Sequence, residues 1–353
     1  MTAYRINGFQ HIGVAVQDMD ASLRFYRKYF GLNVPFFDAV AAAPLMLPYT
    51  RNEVITKRAS MVLNLMGGCA MEVVSATSFK PVAASFKLEL GDLGIFITQM
   101  KCPDVKKAFD YCKKEGDATI SELTSRPDGT STFFIEDLDG NHFQYVEGGD
   151  WYTKPNHISG GVSACTIGVS DMAKSLELYS GILGYDQVLL DETKVWDDFA
   201  SLPGGKRTYR RVVIAQTNPP GGGFAKISAK TQIELVQDMD RAPKHIFDDR
   251  IWADLGFVHL GLDVRGMHAL GQRLAQKGFG FTCDSNDALD MGTTKVHCTY
   301  IADPDKTWIE MIEVHKVPII EKWGIFLDVA KRDPEKPLPD FMLKALRFSR
   351  IKD

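Results

Sequence analysis

Hydrophobic and polar residues alternate and then change period in a pattern that recurs along this chain. The run FQHIGVAV, from Phe9, alternates as a strand does, and the next segment has apolar residues spaced 4, 3 and 4 apart. That spacing places four side chains on one helical face: Met19, Leu23, Tyr26 and Phe30. Asp18 stands where an N-cap accepts free backbone N–H groups, and Gly31 is suited to end the helix. The pattern predicts a strand followed by an amphipathic helix.

A second copy of this segment begins at Val162, as VSACTIGVSDMAKSLELYSGILGY. One constant offset aligns Asp18 with Asp171, Met19 with Met172, Ser22 with Ser175, Leu23 with Leu176, Tyr26 with Tyr179 and Gly31 with Gly184. Two weaker copies start at Gly91 and Gly256, and both run to an acidic turn and a last strand, with Asp137 aligned to Asp303 in the turn. The chain therefore reads as an internal fourfold repeat.

The repeat predicts an α+β fold of four βαβββ units. The units span about 5–80, 87–149, 160–238 and 253–315. We expect two domains with curved mixed sheets, at 1–150 and 161–316, joined by a linker at 151–160 and followed by a helical tail at 317–353. Two insertions, residues 39–57 and 218–226, are too long for simple turns, and we expect them near the mouth of a cavity.

Composition narrows the function. The chain has 353 residues, 45% of them hydrophobic, and a formal net charge of −4. No basic field would attract nucleic acid or an anionic membrane, so we expect a small-molecule partner and a monomer or homodimer. The six cysteines form no CxxC pair, and no signal peptide or membrane span is evident, which favours a cytoplasmic protein.

Candidate chemistry comes from equivalent positions in the four units. If the first and last strands of a unit lie side by side, one inward side chain from each can meet inside a cup. Units one and four offer a histidine and a glutamate each: His11 with Glu72, and His259 with Glu310. Unit two offers Ile95 or Ile97 with Gln144, and unit three offers Ala164 with Glu234. Two imidazoles and two carboxylates suit a divalent Zn, Ni, Co, Mn or Fe ion, whereas the other set looks dismantled.

The repeated units, the HIGVAVQDMDASLRFYRKYFGL segment and the DPD turn before IEMIEV resemble the vicinal oxygen chelate (VOC) superfamily. That superfamily includes glyoxalase I, extradiol dioxygenases, methylmalonyl-CoA epimerase and bleomycin-resistance proteins. The resemblance runs from about Phe9 to His315 and implies metal ligands at His11, Glu72, His259 and Glu310. In single-chain tandem glyoxalases the first unit pairs with the fourth, which would complete this set. Sequential pairing would leave two incomplete sites.

The set is similar to that of bacterial-type glyoxalase I, which implies a lyase or isomerase. Such an enzyme would chelate neighbouring oxygens of a small substrate and act through an enediolate, with Glu310 or Glu72 moving the proton. An epimerase using the same chemistry is a close competitor. An extradiol-type ring-cleaving dioxygenase fits less well, because Ala164 replaces its first histidine. A non-catalytic, resistance-type binding protein is a further alternative.

The other polar candidates in the sequence are not assigned a catalytic or metal-binding role. His142 shares a strand face with Gln144, and His297 lies on the third strand of unit four, where a structural role is favoured. Gln144 and Glu234 are interpreted as relics or core polar groups. The basic run KRTYRR, from Lys206, is more typical of a solvated surface than of an anion site.

Overall fold

The helices begin where the sequence places their caps. The computed structural model describes residues 4–286, 289–291, 294–320, 325–328, 332–333 and 336–351. The Asp18 side chain accepts a hydrogen bond from the N–H of Ala21, and Gly31 ends that helix with a left-handed φ of 61°. Asp171 caps the equivalent helix of unit three. These aspartates satisfy N–H groups that lack a partner inside the helix, so the predicted boundaries are confirmed.

The first half of the chain contains two βαβββ units. Unit one consists of β1 (Arg5–Ala15), α1 (Met19–Phe30), β2 (Val34–Ala42), β3 (Thr56–Leu63) and β4 (Ala70–Ala76), with a 3-10 helix at Pro44–Tyr49. Unit two consists of β5 (Gly94–Cys102), α2 (Val105–Glu115), β6 (Thr124–Ser125), β7 (Ser131–Glu136) and β8 (His142–Glu147).

The second half repeats this order and adds a tail. Unit three consists of β9 (Val162–Gly168), α3 (Met172–Tyr179), β10 (Gln187–Val195), β11 (Thr208–Ala215), α4 (Ala225–Ser228) and β12 (Gln232–Asp238), with a 3-10 helix at Asp197–Phe199. Unit four consists of β13 (Gly256–Arg265), α5 (Met267–Gln276), β14 (Cys283–Asp284), β15 (Leu289–Met291), β16 (Thr294–Ala302) and β17 (Trp308–Ile320). The tail contributes β18 (Ile325–Asp328), α6 (Asp340–Ala345) and a 3-10 helix at Leu346–Ser349.

The sheets join units that are distant in sequence. One sheet has the strand order β14-β16-β17-β13-β1-β4-β3-β2, with β15 paired to β16 and β18 paired to β17. The other has the order β10-β11-β12-β9-β5-β8-β7-β6. Units one and four thus share one mixed sheet, and units two and three share the other. This is the swapped pairing that the resemblance implies, in an α+β, glyoxalase-like fold.

Helix-to-turn contacts hold consecutive units together across this arrangement. The Tyr26 hydroxyl on α1 donates to Asp137 in the turn of unit two at 2.7 Å. The Tyr179 hydroxyl on α3 donates to Asp303 in the turn of unit four at 2.9 Å. Both aspartates also accept backbone N–H bonds from their own turns, which confirms that the two acidic turns are equivalent. The four units are therefore interlocked, and the division into two sequential domains stays a prediction.

The tail and the insertions depart in part from expectation. The tail contains a helix, α6, but it starts with strand pairing, since β17 continues to Ile320 and pairs with β18. The first insertion forms the 3-10 helix that brings Tyr49 against Trp308, with ring centroids 4.9 Å apart. The second insertion packs on the start of β1 and on the tail, because Gly221 donates to Asn7 and Leu338 donates to Gly223.

Buried apolar side chains form three clusters, and the smallest includes Leu338 and Leu343 of the tail. One core lies between the helices and the sheets, and it includes the predicted face of α1. A second cluster draws residues from both sheets, among them Phe96, Val236, Val258 and Trp308. The six cysteines are free and buried, as expected. Among the helices described, none combines the length and the apolar character that a membrane span requires.

Candidate metal centre

Four neighbouring strands in the middle of the larger sheet bring the predicted side chains together. Glu72 lies on β4, His11 on β1, His259 on β13 and Glu310 on β17, and these strands are adjacent in that order. Strand β1 runs antiparallel to β13 and parallel to β4, while β13 runs parallel to β17. The central pair of strands therefore supplies the imidazoles, and each flanking strand supplies a carboxylate.

The four side chains form a compact, buried cluster. One possible ligand atom from each residue lies within 4.8 Å of the other three. The Nε2 atoms of His11 and His259 are 2.8 Å apart. Oε2 of Glu310 lies 3.0 Å from Nε2 of His11 and 3.3 Å from Nε2 of His259. Oε2 of Glu72 lies 3.7 and 3.3 Å from the same two atoms. This donor set is able to hold a cation.

Two glycines make room for the imidazoles. In the β1–β13 pairing, His11 stands opposite Gly261 and Gly13 stands opposite His259. A Cβ atom added to Gly261 would lie 2.4 Å from Cε1 of His11, and one added to Gly13 would lie 2.3 Å from Cε1 of His259. This requirement was not predicted from the sequence, although the spacing His-x-Gly occurs at both positions and could have indicated it.

Burial and charge oppose each other at this cluster. Burial alone lowers the pKa of His259, but the nearby charges and hydrogen bonds of Glu310 and Glu72 outweigh it and raise that pKa to about 9. Burial alone raises the pKa of the Glu310 carboxyl, but His259 and His11 outweigh it and hold that pKa well below the usual range. For Glu72, Lys57 and His259 likewise prevail over burial, and its pKa is lowered. Both carboxylates are therefore ionised at neutral pH, as metal ligands must be.

Each glutamate has a second partner for its outer oxygen. The Cys298 thiol donates to Oε1 of Glu310 at 3.1 Å, and Lys57 Nζ lies 3.8 Å from Oε1 of Glu72. These contacts leave both Oε2 atoms facing the imidazoles. Such supporting groups orient ligands and tune a metal site. Neither Cys298 nor Lys57 was identified from the sequence, because the repeat alignment marks strand positions and not their neighbours.

Aromatic rings enclose the cluster. The Trp252 ring is nearly parallel to the His259 ring, with centroids 6.4 Å apart. The Tyr300 ring is nearly perpendicular to the His259 ring, with centroids 5.6 Å apart. Tyr49 lies against Tyr300, and its backbone carbonyl accepts a hydrogen bond from the backbone N–H of Trp252. The first insertion thus lies beside the cluster, and its expected position at the mouth of a cavity stays a prediction.

The equivalent positions in the smaller sheet carry a different arrangement. Ala164 faces Gln99, and Thr166 faces Ile97, so larger side chains replace the two glycines while small or apolar ones replace the histidines. Glu234, the counterpart of Glu72, is 2.6 Å from the buried Arg211 guanidinium.

Arg211 fills this second cluster with its own charge. Its Nη1 atom lies 2.8 Å from Asp198 as well, and all three side chains are buried. By strand register the counterpart of Arg211 in the larger sheet is Ala59. Glu234 is therefore committed to an internal ion pair, and the interpretation of it as a core polar group agrees with the contacts.

The remaining candidates lie outside the four-residue cluster. His142 packs on Phe96 in the smaller sheet, and burial lowers its pKa to about 4. His297 bonds to Asp284 on β14 at 2.7 Å. In the basic run, Arg207 pairs with Asp238 and Arg210 pairs with Asp191. None of these side chains, which are among the described residues, joins the predicted ligands.

Comparison with known proteins relates this fold to a family. Residues 8–145 match the Glyoxalase/Bleomycin resistance protein/Dioxygenase superfamily model. Glyoxalase I from Zea mays is similar at 14% identity over 88% of this chain and 92% of its own, with a TM-score of 0.54. A Bacillus subtilis protein with a provisional dioxygenase assignment is similar at 14% identity over 99% of this chain and 97% of its own, with a TM-score of 0.58. No curated protein matches the sequence. At these identities the solved structures support the fold alone.

Proposed function

We propose that this protein, whose residues 8–145 match the Glyoxalase/Bleomycin resistance protein/Dioxygenase superfamily model and whose fold is glyoxalase-like, is a divalent-metal-dependent lyase or isomerase. The carrying observation is the convergence of His11, Glu72, His259 and Glu310 on one point, with ligand atoms within 4.8 Å of one another. Its substrate is a small molecule with two neighbouring oxygen atoms.

The chemistry of the four donors fits a divalent metal. Two imidazoles and two carboxylates match borderline divalent ions such as Zn²⁺, Ni²⁺, Co²⁺, Mn²⁺ or Fe²⁺. His259, whose pKa is raised to about 9, would lose its ring proton on binding the cation. A bound cation would act as a Lewis acid and stabilise negative charge that develops on neighbouring substrate oxygens.

Glu310 and Glu72 are the groups that can move a proton. Each is ionised in the folded protein, and each keeps its outer oxygen on a partner while Oε2 points inward. A carboxylate in that position can accept the proton beside a substrate carbonyl and return it to the adjacent carbon. Removal and return on neighbouring atoms amounts to isomerisation.

The surroundings of the cluster favour this chemistry because they exclude water. His11 and His259 are fully buried, and Glu72 and Glu310 retain 6% and 8% exposure. Trp252, Tyr300 and Tyr49 provide the enclosing rings. A low-dielectric environment strengthens each electrostatic interaction with a developing charge.

Metal analysis tests the proposal. Purified protein should hold a divalent ion that chelation removes, and His11→Ala and His259→Ala should each reduce the metal content. His142→Ala is the matched control, since it removes a partly buried imidazole from the smaller sheet. Full metal occupancy in both ligand variants would refute the assignment of these residues.

A ring-cleaving dioxygenase is the second candidate. His11 and His259 with one glutamate contain the two-histidine, one-carboxylate set of non-haem iron oxygenases. Bound iron together with oxygen uptake on catechols would favour that reaction. Ligand binding without metal and without turnover would instead favour a binding protein.

A further inference from the structure

Lys57 places a positive charge next to the cluster. It lies on β3, its side chain is 17% exposed, and Nζ is 3.8 Å from Oε1 of Glu72. The ammonium also lies 5.4 Å from the centre of the Trp252 ring. Lys57 is therefore at the edge of the enclosed space, between a proposed ligand and an enclosing ring.

Trp252 contributes a hydrogen-bond donor that the described protein groups leave unused. Its indole N–H is buried and has no acceptor among the residues described, and the whole residue is only 2% exposed. A buried donor without a partner destabilises the folded protein. Because this ring lies against His259 on one side and Lys57 on another, a ligand oxygen bound there would satisfy it.

The balance of charges at the cluster indicates the sign of the ligand's charge. The carboxylates of Glu72 and Glu310 neutralise a divalent cation, and neutral imidazoles add nothing. The ammonium of Lys57 then remains as one positive charge in excess. In the smaller sheet the excess charge is negative, because one guanidinium, Arg211, faces two carboxylates, Glu234 and Asp198. An excess charge in a buried pocket selects a ligand of opposite sign.

We propose that Lys57, with the indole N–H of Trp252, makes this site selective for a monoanionic substrate, namely a carboxylate with an adjacent hydroxyl or keto oxygen. This inference rests on the proposed metal site and assigns its substrate class. Lys57 is the specificity residue, since it supplies the charge. Trp252 supplies a donor for one oxygen.

Lactate and lactamide form a matched pair of probes, because they share neighbouring oxygens and size but differ by one negative charge. Chelated protein reloaded with Co²⁺ is titrated with each, and its visible absorption and calorimetry give both affinities. Loss of one charge-assisted hydrogen bond should reduce the lactate-to-lactamide affinity ratio about tenfold or more in Lys57→Met. Lys57→Arg should preserve the ratio. Lys106→Met, which removes an exposed lysine from α2, is the control for general charge effects.

Trp252→Phe keeps an aromatic ring and removes only the N–H donor. It should weaken lactate binding about fivefold while the Co²⁺ affinity is unchanged. If Lys57→Met lowered Co²⁺ affinity but left the ratio at its wild-type value, Lys57 would merely position Glu72 and the inference would be wrong. Wild-type protein that binds Co²⁺ without preferring lactate would also overturn it. Failure to bind Co²⁺ at all would instead refute the proposed function.

Discussion

Gly261→Ala should displace one imidazole of the cluster without unfolding the protein. The added Cβ would lie 2.4 Å from Cε1 and 2.5 Å from Nδ1 of His11, whereas ordinary contact begins at 3.4 Å. One atom of the ring would thus have to move by about 1 Å. The backbone cannot give way easily, because β1 and β13 are paired in the middle of the larger sheet. The ring must therefore rotate.

The effect on metal binding should exceed the effect on stability. Rotation of the ring moves Nε2 away from its 3.0 Å contact with Glu310, and metal sites tolerate ligand shifts of only about 0.2 Å. We expect cation affinity to fall about 10–100-fold, as it does when a supporting contact of a ligand is lost. Overpacking costs about 1–3 kcal/mol, and replacing a strand glycine returns about 0.5–1 kcal/mol. The net loss of stability should therefore be about 2.5 kcal/mol or less.

Competition with a coloured chelator measures the affinity, and urea unfolding measures the stability. Gly13→Ala should behave like Gly261→Ala, since its Cβ meets His259 at 2.3 Å. Gly280→Ala is the control, because an added Cβ there meets nothing within 4 Å. Wild-type cation affinity in a folded Gly261→Ala protein would show that the imidazole does not need this space, and the reasoning would fail.

Three further predictions concern stoichiometry, the buried ion pair and pH. Titration of chelated protein should saturate at a single cation per chain, because Arg211 occupies the equivalent cluster, and a second equivalent bound with similar affinity would contradict this. Arg211→Met should lower the free energy of unfolding by about 3–5 kcal/mol, because it leaves the carboxylates of Glu234 and Asp198 buried without the guanidinium. An unchanged midpoint of urea unfolding would refute this prediction. Burial raises the pKa of Asp303 to about 7, so its folded form binds the proton that an unfolded aspartate releases near pH 4. The free energy of unfolding of the wild type should therefore fall as the pH rises from about 4 to 7, by at most about 4 kcal/mol. Asp303→Asn should make this decrease smaller, and parallel pH profiles of the two proteins would contradict the prediction.

Much of the local structure was predictable because it depends on neighbours in the chain. Asp18, Asp171 and Gly31 act within one turn of their helices, so the sequence signal and the structural effect coincide. The equivalence of Asp137 and Asp303 followed from repeat alignment, and their identical turn contacts confirm it. The tail was harder to predict, because the pairing of β18 with β17 depends on a partner strand rather than on local period.

The residues of the candidate site likewise fall into those that the sequence predicted and those that it did not. Alignment of the repeats singled out His11, Glu72, His259 and Glu310, because equivalent strand positions point the same way in every unit. Lys57, Trp252 and Cys298 reach the cluster from other strands and loops, and no spacing in the chain announces them.

The sequence by itself determined the repeat, the helix boundaries and the identity of four potential ligands, because periodicity and capping act over a few residues. Only the tertiary structure decided which units share a sheet, since His11 and Gly261 become neighbours through a strand pairing that spans most of the chain. It also decided that Arg211 fills one cluster while Ala59 leaves the other open, a difference of side-chain volume and charge that has meaning only where strands meet.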